Sequence, residues 1–222
     1  MKVVVAKDIL KANDQIAADN LARCDRAGTY TVNILGSPGA GKTSLLERLA
    51  VHLPADVKPA AIEGDLATSR DAERIQALGW PTVQINTGGG CHLDANMVAA
   101  GLDELNLEDI DLLFIDNVGN LVCTASYKLG ERLRIVVLSI TEGDEKVIKY
   151  PPMFQRADVV VFNKTDLLPY TDFDLQRAKN DAKHLHSATE FFEVSARTGA
   201  GVDVLADWLV HQQAQWAAAS HR

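Results

Sequence analysis

Apolar residues recur along this chain in two rhythms, as short unbroken runs and as stripes at helical spacing, and the two alternate. Runs at Thr31–Leu35, Lys58–Glu63, Thr82–Ile85, Asp111–Asp116, Arg134–Ile140, Asp158–Phe162 and Thr189–Val194 predict strands, most of them apolar on both faces and so covered on both. Between them, Ser44–Ala50, Arg70–Leu78 (with Thr68 or Ser69 as its cap) and the stretch through Met97 and Val98 predict helices. Val202, Leu205, Trp208, Leu209 and Trp216 predict a packed terminal helix, and Pro151-Pro152 stops any helix at about Lys149. Ahead of the first strand, residues 3–27 place Ile9, Ile16, Leu21 and Cys24 on one side, with Asn13, Asp14, Asp19 and Asn20 on the other. This predicts an amphipathic helix ended by Gly28, with Cys24 as a buried small residue. The expected architecture is α/β: a three-layer phosphate-loop NTPase fold, its mostly parallel twisted sheet flanked by helices, in one domain over residues 1–222 with 3–27 as a helical extension.

Gly36-Ser37-Pro38-Gly39-Ala40-Gly41-Lys42-Thr43, followed by Ser44, lies between the first predicted strand and the next helix, the context a phosphate-binding loop requires. Glycines let several backbone N–H groups turn toward one anion, and the helix start adds its dipole. Lys42 is expected on the β- and γ-phosphates and the Thr43 hydroxyl on magnesium. Parallel sheets bind ligands beyond the carboxyl ends of their strands, so Asp65 is expected beside the phosphates, on magnesium or on the attacking water. Asp71 has two readings, a magnesium contact or an acid favouring the first turn of its helix. Asp116 ends an apolar run, the pattern that brings an acid to magnesium, and with Gly119 it forms a D-x-x-G element whose glycine N–H can sense a γ-phosphate.

Asn163-Lys164-Thr165-Asp166 follows the sixth run. A carboxylate at Asp166 can accept two hydrogen bonds from guanine, whereas adenine offers an acceptor where a donor is needed, so GTP is expected over ATP. Asn163 orients the loop, the Lys164 stem covers the base, and Ser195-Ala196-Arg197 is expected as a third base-contacting loop. Cys91-His92 leaves a glycine-rich loop after the third run, and Cys123 follows Gly119 closely. Buried thiols beside a surface histidine are one reading. The other is a cluster for zinc or nickel, short of at least one ligand, which a second copy or water completes.

The 222 residues are 47% hydrophobic, with a net charge of −8 and no basic run, which argues against nucleic acid as the main partner. Three scattered cysteines are too few for a disulfide framework. No apolar run approaches a membrane span, and Met1–Val5 is too short for a signal peptide, so the expected compartment is the cytoplasm. His184, His186, His211 and His221 lack clustered partners and are expected on the surface. Lys146 and Lys149 are open between a solvated surface and a reach toward nucleotide or a partner chain.

With these elements in place, the chain resembles the HypB family of hydrogenase-maturation GTPases, among the nickel-handling GTPases related to UreG. The resemblance rests on Asn33–Glu47, Ile62-Glu63-Gly64-Asp65, Cys91-His92-Leu93-Asp94-Ala95 with Met97-Val98, Asp116–Cys123 and Lys149-Tyr150-Pro151. It implies GTP-dependent nickel delivery to NiFe-hydrogenase large-subunit precursors with a zinc-bearing HypA-like partner. It also implies a homodimer sharing a metal site at Cys91, His92 and Cys123. Asn120, which follows Gly119 where many signalling GTPases place a water-orienting glutamine, predicts slow intrinsic hydrolysis. A GTPase for another nickel client such as urease, or a GTP-gated metal-binding regulator, are the other readings. Two departures stand out: Asp116 occupies the family's usual Glu position, and Thr124 its usual Pro, which predicts a looser loop after Cys123. Neither an N-terminal cysteine motif nor a histidine-rich tract occurs, so the resemblance implies no nickel storage here.

Overall fold

The computed structural model describes residues 6–65 and 70–220. The proposed caps Thr68 and Ser69, the segment Met1–Val5 and His221 lie outside them. Seven strands form one sheet: β1 (Tyr30–Gly36), β2 (Pro59–Asp65), β3 (Thr82–Asn86), β4 (Leu112–Asp116), β5 (Leu133–Ser139), β6 (Val159–Asn163) and β7 (Glu190–Glu193). Their order is β3-β2-β4-β1-β5-β6-β7, and every neighbouring pair is parallel. The central strands β1, β4, β5 and β6 are buried along their whole length, which is why they read as unbroken apolar runs instead of alternating ones.

Helices cover both faces. On one lie α2 (Lys42–His52), α3 (Arg70–Gln76) and α8 (Val202–Ser220), whose Leu45, Leu49, Ile75, Leu205 and Leu209 pack on Val32, Ile34 and Phe114. On the other, α1 (Ala6–Ala27) and α4 (Ala95–Asp103) bury Cys24, Val98 and Leu102 against Ile62 and Ile115. Beside them, α5 (Lys146–Lys149), α6 (Pro151–Phe154) and α7 (Leu175–Leu185) bury Val147, Phe154 and Ala182 against Val136 and Phe162. The double proline does end α5, and Pro151 then starts α6, where a missing N–H costs nothing. The pattern-based reading left α7 out, because its only buried side chains are Ala178 and Ala182. Among the described residues no helix is long and apolar enough to cross a membrane.

The stripe on α1 differs from the expected one. Its buried positions are Asn13, Ala17, Asn20 and Cys24, so the two asparagines leave the predicted polar face, while Asp14 and Asp19 stay exposed. His184 and His211 are exposed as expected, but His186 is half-buried, its Nδ1 3.0 Å from the Ala157 carbonyl.

Candidate nucleotide and metal site

The carboxyl end of β1 opens into the loop Ser37–Gly41, with β4 and β5 on either side. Close approaches leave no room for a side chain at Gly41 of this loop or at Gly119 of the segment after β4. Gly41 has φ 94°, and a Cβ on it would lie 2.4 Å from Asn163 Nδ2; a Cβ on Gly119 would lie 2.8 Å from Pro38 Cα. The D-x-x-G segment therefore rests directly on the phosphate loop. Asn163 closes the opposite side: Nδ2 donates to the Ala40 carbonyl at 2.9 Å, while Oδ1 accepts from the N–H groups of Lys164 and Ala196 at 2.8 and 3.0 Å. One buried amide thus joins three sequence-distant loops. Lys164, at φ 65°, sends Nζ back to the Gly39 carbonyl at 2.7 Å.

A cleft of about 560 Å³ opens beside this knot, lined by Gly41, Ser44, Asn163, Lys164, Asp166, Ala196 and Arg197 among others. Ser195 Oγ donates to Asp166 Oδ1 at 2.6 Å and fixes that carboxylate, which keeps further acceptor capacity. Arg48 of α2 donates to the Ala196 and Arg197 carbonyls, so the third loop is tied to the helix of the first. A second cleft of about 540 Å³ continues along the phosphate loop past Lys42, Thr43, Asp65, Asp71, Asp116 and Gly119. The two clefts share Gly41, Ser44 and Lys164 and together suit a base at one end and phosphates at the other.

At the phosphate end Asp116 is buried. Its Oδ2 accepts from the Thr43 hydroxyl at 2.9 Å and its Oδ1 lies 3.8 Å from Lys42 Nζ. Glu63 of β2, equally buried, pairs across the sheet with Asp116 in register. Burial pushes both carboxyls up; on Glu63 the neighbouring Asp116 charge adds to this, while on Asp116 the Lys42 ammonium opposes it. Glu63 Oε1 and Asp116 Oδ1 have no hydrogen-bond partner. Two facing acids with unpaired oxygens beside a threonine hydroxyl are an oxygen-donor set of the kind magnesium takes. Glu63 was not singled out from the sequence; its signal, an acid two residues before Asp65 on a strand that pairs β4, needs the sheet order to be read. Asp71 lies in the first turn of α3, where its carboxylate accepts from Arg74 Nη1 at 2.7 Å, and Arg74 also holds Glu47 and the Ser44 hydroxyl. The Asp65 carbonyl accepts from Thr87 N at 3.1 Å, which links β2 to the loop after β3.

That loop is built from local caps. Thr87 Oγ1 donates to the Gly90 carbonyl, Asn86 Oδ1 accepts from Gly88 N, and Asp94 Oδ1 caps α4 at Met97 N. It delivers Cys91 and His92, whose Sγ and Nδ1 stand 3.6 Å apart. Cys123 joins them, and the three ligand atoms lie within 4.8 Å of one another, all half-buried. Hydrogen bonding to the Cys91 thiol raises the Cys123 pKa, which favours the protonated form of the Cys123 thiol. Cys24 is different: buried in the core, its thiol is pushed up to about 12. Tyr127 stacks on the His92 ring at 4.0 Å.

Two asparagines connect the clefts to this cluster. Asn117 Oδ1 accepts from Leu93 N at 3.2 Å, just beyond His92. Asn120 N donates to the Gly36 carbonyl at 3.0 Å, and its Oδ1 accepts from Val122 N and Cys123 N at 2.7 and 3.0 Å. Thr124, in the position expected to loosen the loop, is buried and its hydroxyl donates to the Asn120 carbonyl, a constraint proline could not supply in that form. Lys149 is exposed, while Lys146 lies 5.3 Å over the Tyr150 ring in a cleft shared with Ser37 and Asn120.

A family profile described as the CobW/HypB/UreG nucleotide-binding domain matches residues 30–193. The hydrogenase maturation factor HypB of Azotobacter vinelandii is 47% identical over 209 residues, covering 94% of this chain and 69% of the relative. The hydrogenase/urease maturation factor HypB of Helicobacter hepaticus is 41% identical over 217 residues, 96% of this chain and 89% of the relative. Among solved structures, HypB from Helicobacter pylori in complex with nickel superposes with a TM-score of 0.88 at 40% identity, covering 92% of this chain and 96% of that one. The chain therefore belongs to the CobW/HypB/UreG family of nucleotide-binding proteins, and within it to the hydrogenase maturation factors of the HypB type.

Proposed function

We propose that this chain is a cytoplasmic GTP-hydrolysing switch that binds nickel and delivers it for hydrogenase maturation. The observation that carries the reading is Asn120, which bonds the end of β1 with its backbone and Cys123 with its side chain. A change on the phosphate loop is thereby transmitted to a metal-binding thiol. In this reading the whole chain works as one GTPase domain, with α1 as its extension. Asp166 selects guanine, with Lys164 and the loop Ser195–Arg197 closing over the base, and the N–H groups of Gly36–Ser44 cradle the phosphates. Lys42 neutralises the β- and γ-phosphates, and the Gly119 N–H, seated against Pro38, registers the third phosphate. Thr43 and Asp116, with Glu63 and Asp65 beside them, would hold magnesium, which neutralises charge on the phosphates. Asp71 reaches that shell once Arg74 releases it.

Asn120 stands where many GTPases place a water-orienting glutamine, and its amide oxygen is engaged with two backbone N–H groups. Intrinsic turnover below about 1 per second follows. Cys91, His92 and Cys123 are three ligands of a nickel or zinc site. A second copy of the chain completes it, so that dimer closure and metal custody are one event. A HypA-like zinc protein and a hydrogenase large-subunit precursor are the partners this role requires. The name of the Helicobacter hepaticus relative supports a second client, urease.

The test is to load the protein with nickel and follow its transfer to a chelator with GTP or with a non-hydrolysable analogue. Transfer with GTP alone supports delivery driven by hydrolysis. Equal transfer with both makes the protein a GTP-gated metal binder instead.

A further inference from the structure

Two buried amides on one face of α1 bridge the loops that carry the metal ligands. Asn13 Oδ1 accepts from Ala95 N at 2.8 Å, on the segment that follows His92. Its Nδ2 donates to the Lys128 carbonyl at 2.8 Å, on the segment that follows Cys123. Asn20 repeats the pattern two turns further along the helix, donating from Nδ2 to the carbonyls of Ala95 at 2.8 Å and Leu129 at 3.0 Å. Both asparagines are more than nine-tenths buried. Burying an amide is unfavourable unless its hydrogen bonds are made, and an apolar pair would pack α1 as well. What the amides add is a fixed distance between two loops that no strand pairing connects. The segment from Cys123 to Gly130 contains no regular element. Its buried carbonyls therefore depend on side chains: Arg134 takes Ala125 and Tyr127, and the asparagines take Lys128 and Leu129. Tyr127, next to Lys128, is the residue stacked on His92.

We propose that Asn13 and Asn20 are positioning residues for the metal cluster, setting the separation of Cys91-His92 from Cys123 and with it the affinity for a borderline divalent metal such as nickel. This rests on the reading of the cluster as a nickel site. None of the four bonds involves the phosphate loop or the guanine cleft, so nucleotide affinity is untouched.

The experiment titrates nickel into the full chain and follows the thiolate-to-nickel charge-transfer absorption, together with GTP affinity. The variants are Asn13→Ala/Asn20→Ala, Asn13→Asp and Arg23→Ala. Arg23 anchors α1 to Leu102 and Asp103 without touching either loop, so it reports mere helix attachment. Expected are a loss of about tenfold in nickel affinity and an altered absorption band in the double variant, in the range for loss of an outer-shell partner. GTP affinity and the Arg23→Ala protein stay unchanged. Asn13→Asp keeps the acceptor for Ala95 N and sets an acceptor against Lys128, so it keeps α1 docked and still weakens nickel; it decides the matter if the double variant does not fold. Wild-type nickel affinity in Asn13→Asp, or an equal loss in Arg23→Ala, overturns the proposal. A wild-type protein without any thiolate band removes the nickel reading first and this inference with it.

Discussion

Glu63 with Asp116 and Cys91 with Cys123 are two pairs of facing acids; both carboxyls and the Cys123 thiol have raised pKa values, so each pair holds a proton that a bound cation would replace. The oxygen pair is buried between adjacent strands, beside Lys42 and Thr43, and its geometry is set by the sheet register. The sulfur pair is half-buried on loops that asparagine side chains hold, Asn120 on the Cys123 loop itself and Asn13 from α1. Hard donors in a closed, rigid place suit an ion that stays with the nucleotide; soft donors at an open edge suit one that is passed on. The short segment from Asp116 to Cys123 runs from one pair to the other, and in the proposed function that continuity couples them.

Removing a sulfur is the largest perturbation of the comparison. Cys91→Ala and Cys123→Ala are expected to lower nickel affinity by more than about 100-fold, beyond what loss of an outer-shell partner costs, with GTP affinity in magnesium unchanged. Titration calorimetry with each cation checks this, and unchanged nickel affinity in both variants removes the site. Next in size, Asp116→Asn should weaken magnesium-dependent GTP binding by about 10- to 100-fold, the worth of a charged partner of about 1.5–3 kcal/mol. Nickel binding without nucleotide should stay. If either variant damaged both cations alike, the two pairs would not be separate sites.

A smaller effect is expected where both pairs remain and only their link is cut. Asn120→Ala leaves every proposed ligand in place but frees Cys123 N from the residue bonded to Gly36. The ratio of nickel affinities measured with a GTP analogue and with GDP should then fall by about fivefold or more, since coupling between sites is typically about 1–3 kcal/mol. A ratio equal to wild type would mean that Asn117 and Leu93 carry the connection instead.

The parts of this arrangement legible in the sequence are those with a local cause. Strands buried on both faces read as apolar runs, and the phosphate loop and Asn163–Asp166 carry their chemistry in consecutive residues. The remaining parts depend on pairs far apart along the chain. Glu63 acquires meaning only once β2 pairs β4, and Asp71 is held by Arg74, which nothing in the spacing singled out. Asn13 and Asn20 read as solvent-facing in a hydropathy pattern because they are polar; their partners are backbone groups of loops, which no such pattern records. The same holds for His186, whose partner is the Ala157 carbonyl.

The oxygen pair also leaves a signature in stability, the smallest of the expected effects and the one that tests the comparison without any metal. Glu63 and Asp116 both have folded pKa values above the ordinary carboxylate range. Between that range and the raised values, the folded protein keeps a proton that the unfolded chain has released. Raising pH favours the state with fewer bound protons, so stability is fully present below the ordinary carboxylate range and is lost as pH climbs through neutrality. For one retained proton the slope is at most about 1.4 kcal/mol per pH unit. Asp158, half-buried and likewise raised, adds to it with the same sign. Glu63→Gln keeps the shape, cannot ionise and leaves Asp116 without its facing charge, so its chelator-treated protein should show a flatter fall in urea midpoint from pH 6 to pH 9. Magnesium with nucleotide should flatten the wild-type curve in the same way, because the cation replaces the proton. A slope identical in wild type and Glu63→Gln would show that the oxygen pair holds no proton at all, and that only the sulfur pair waits in that state for its metal.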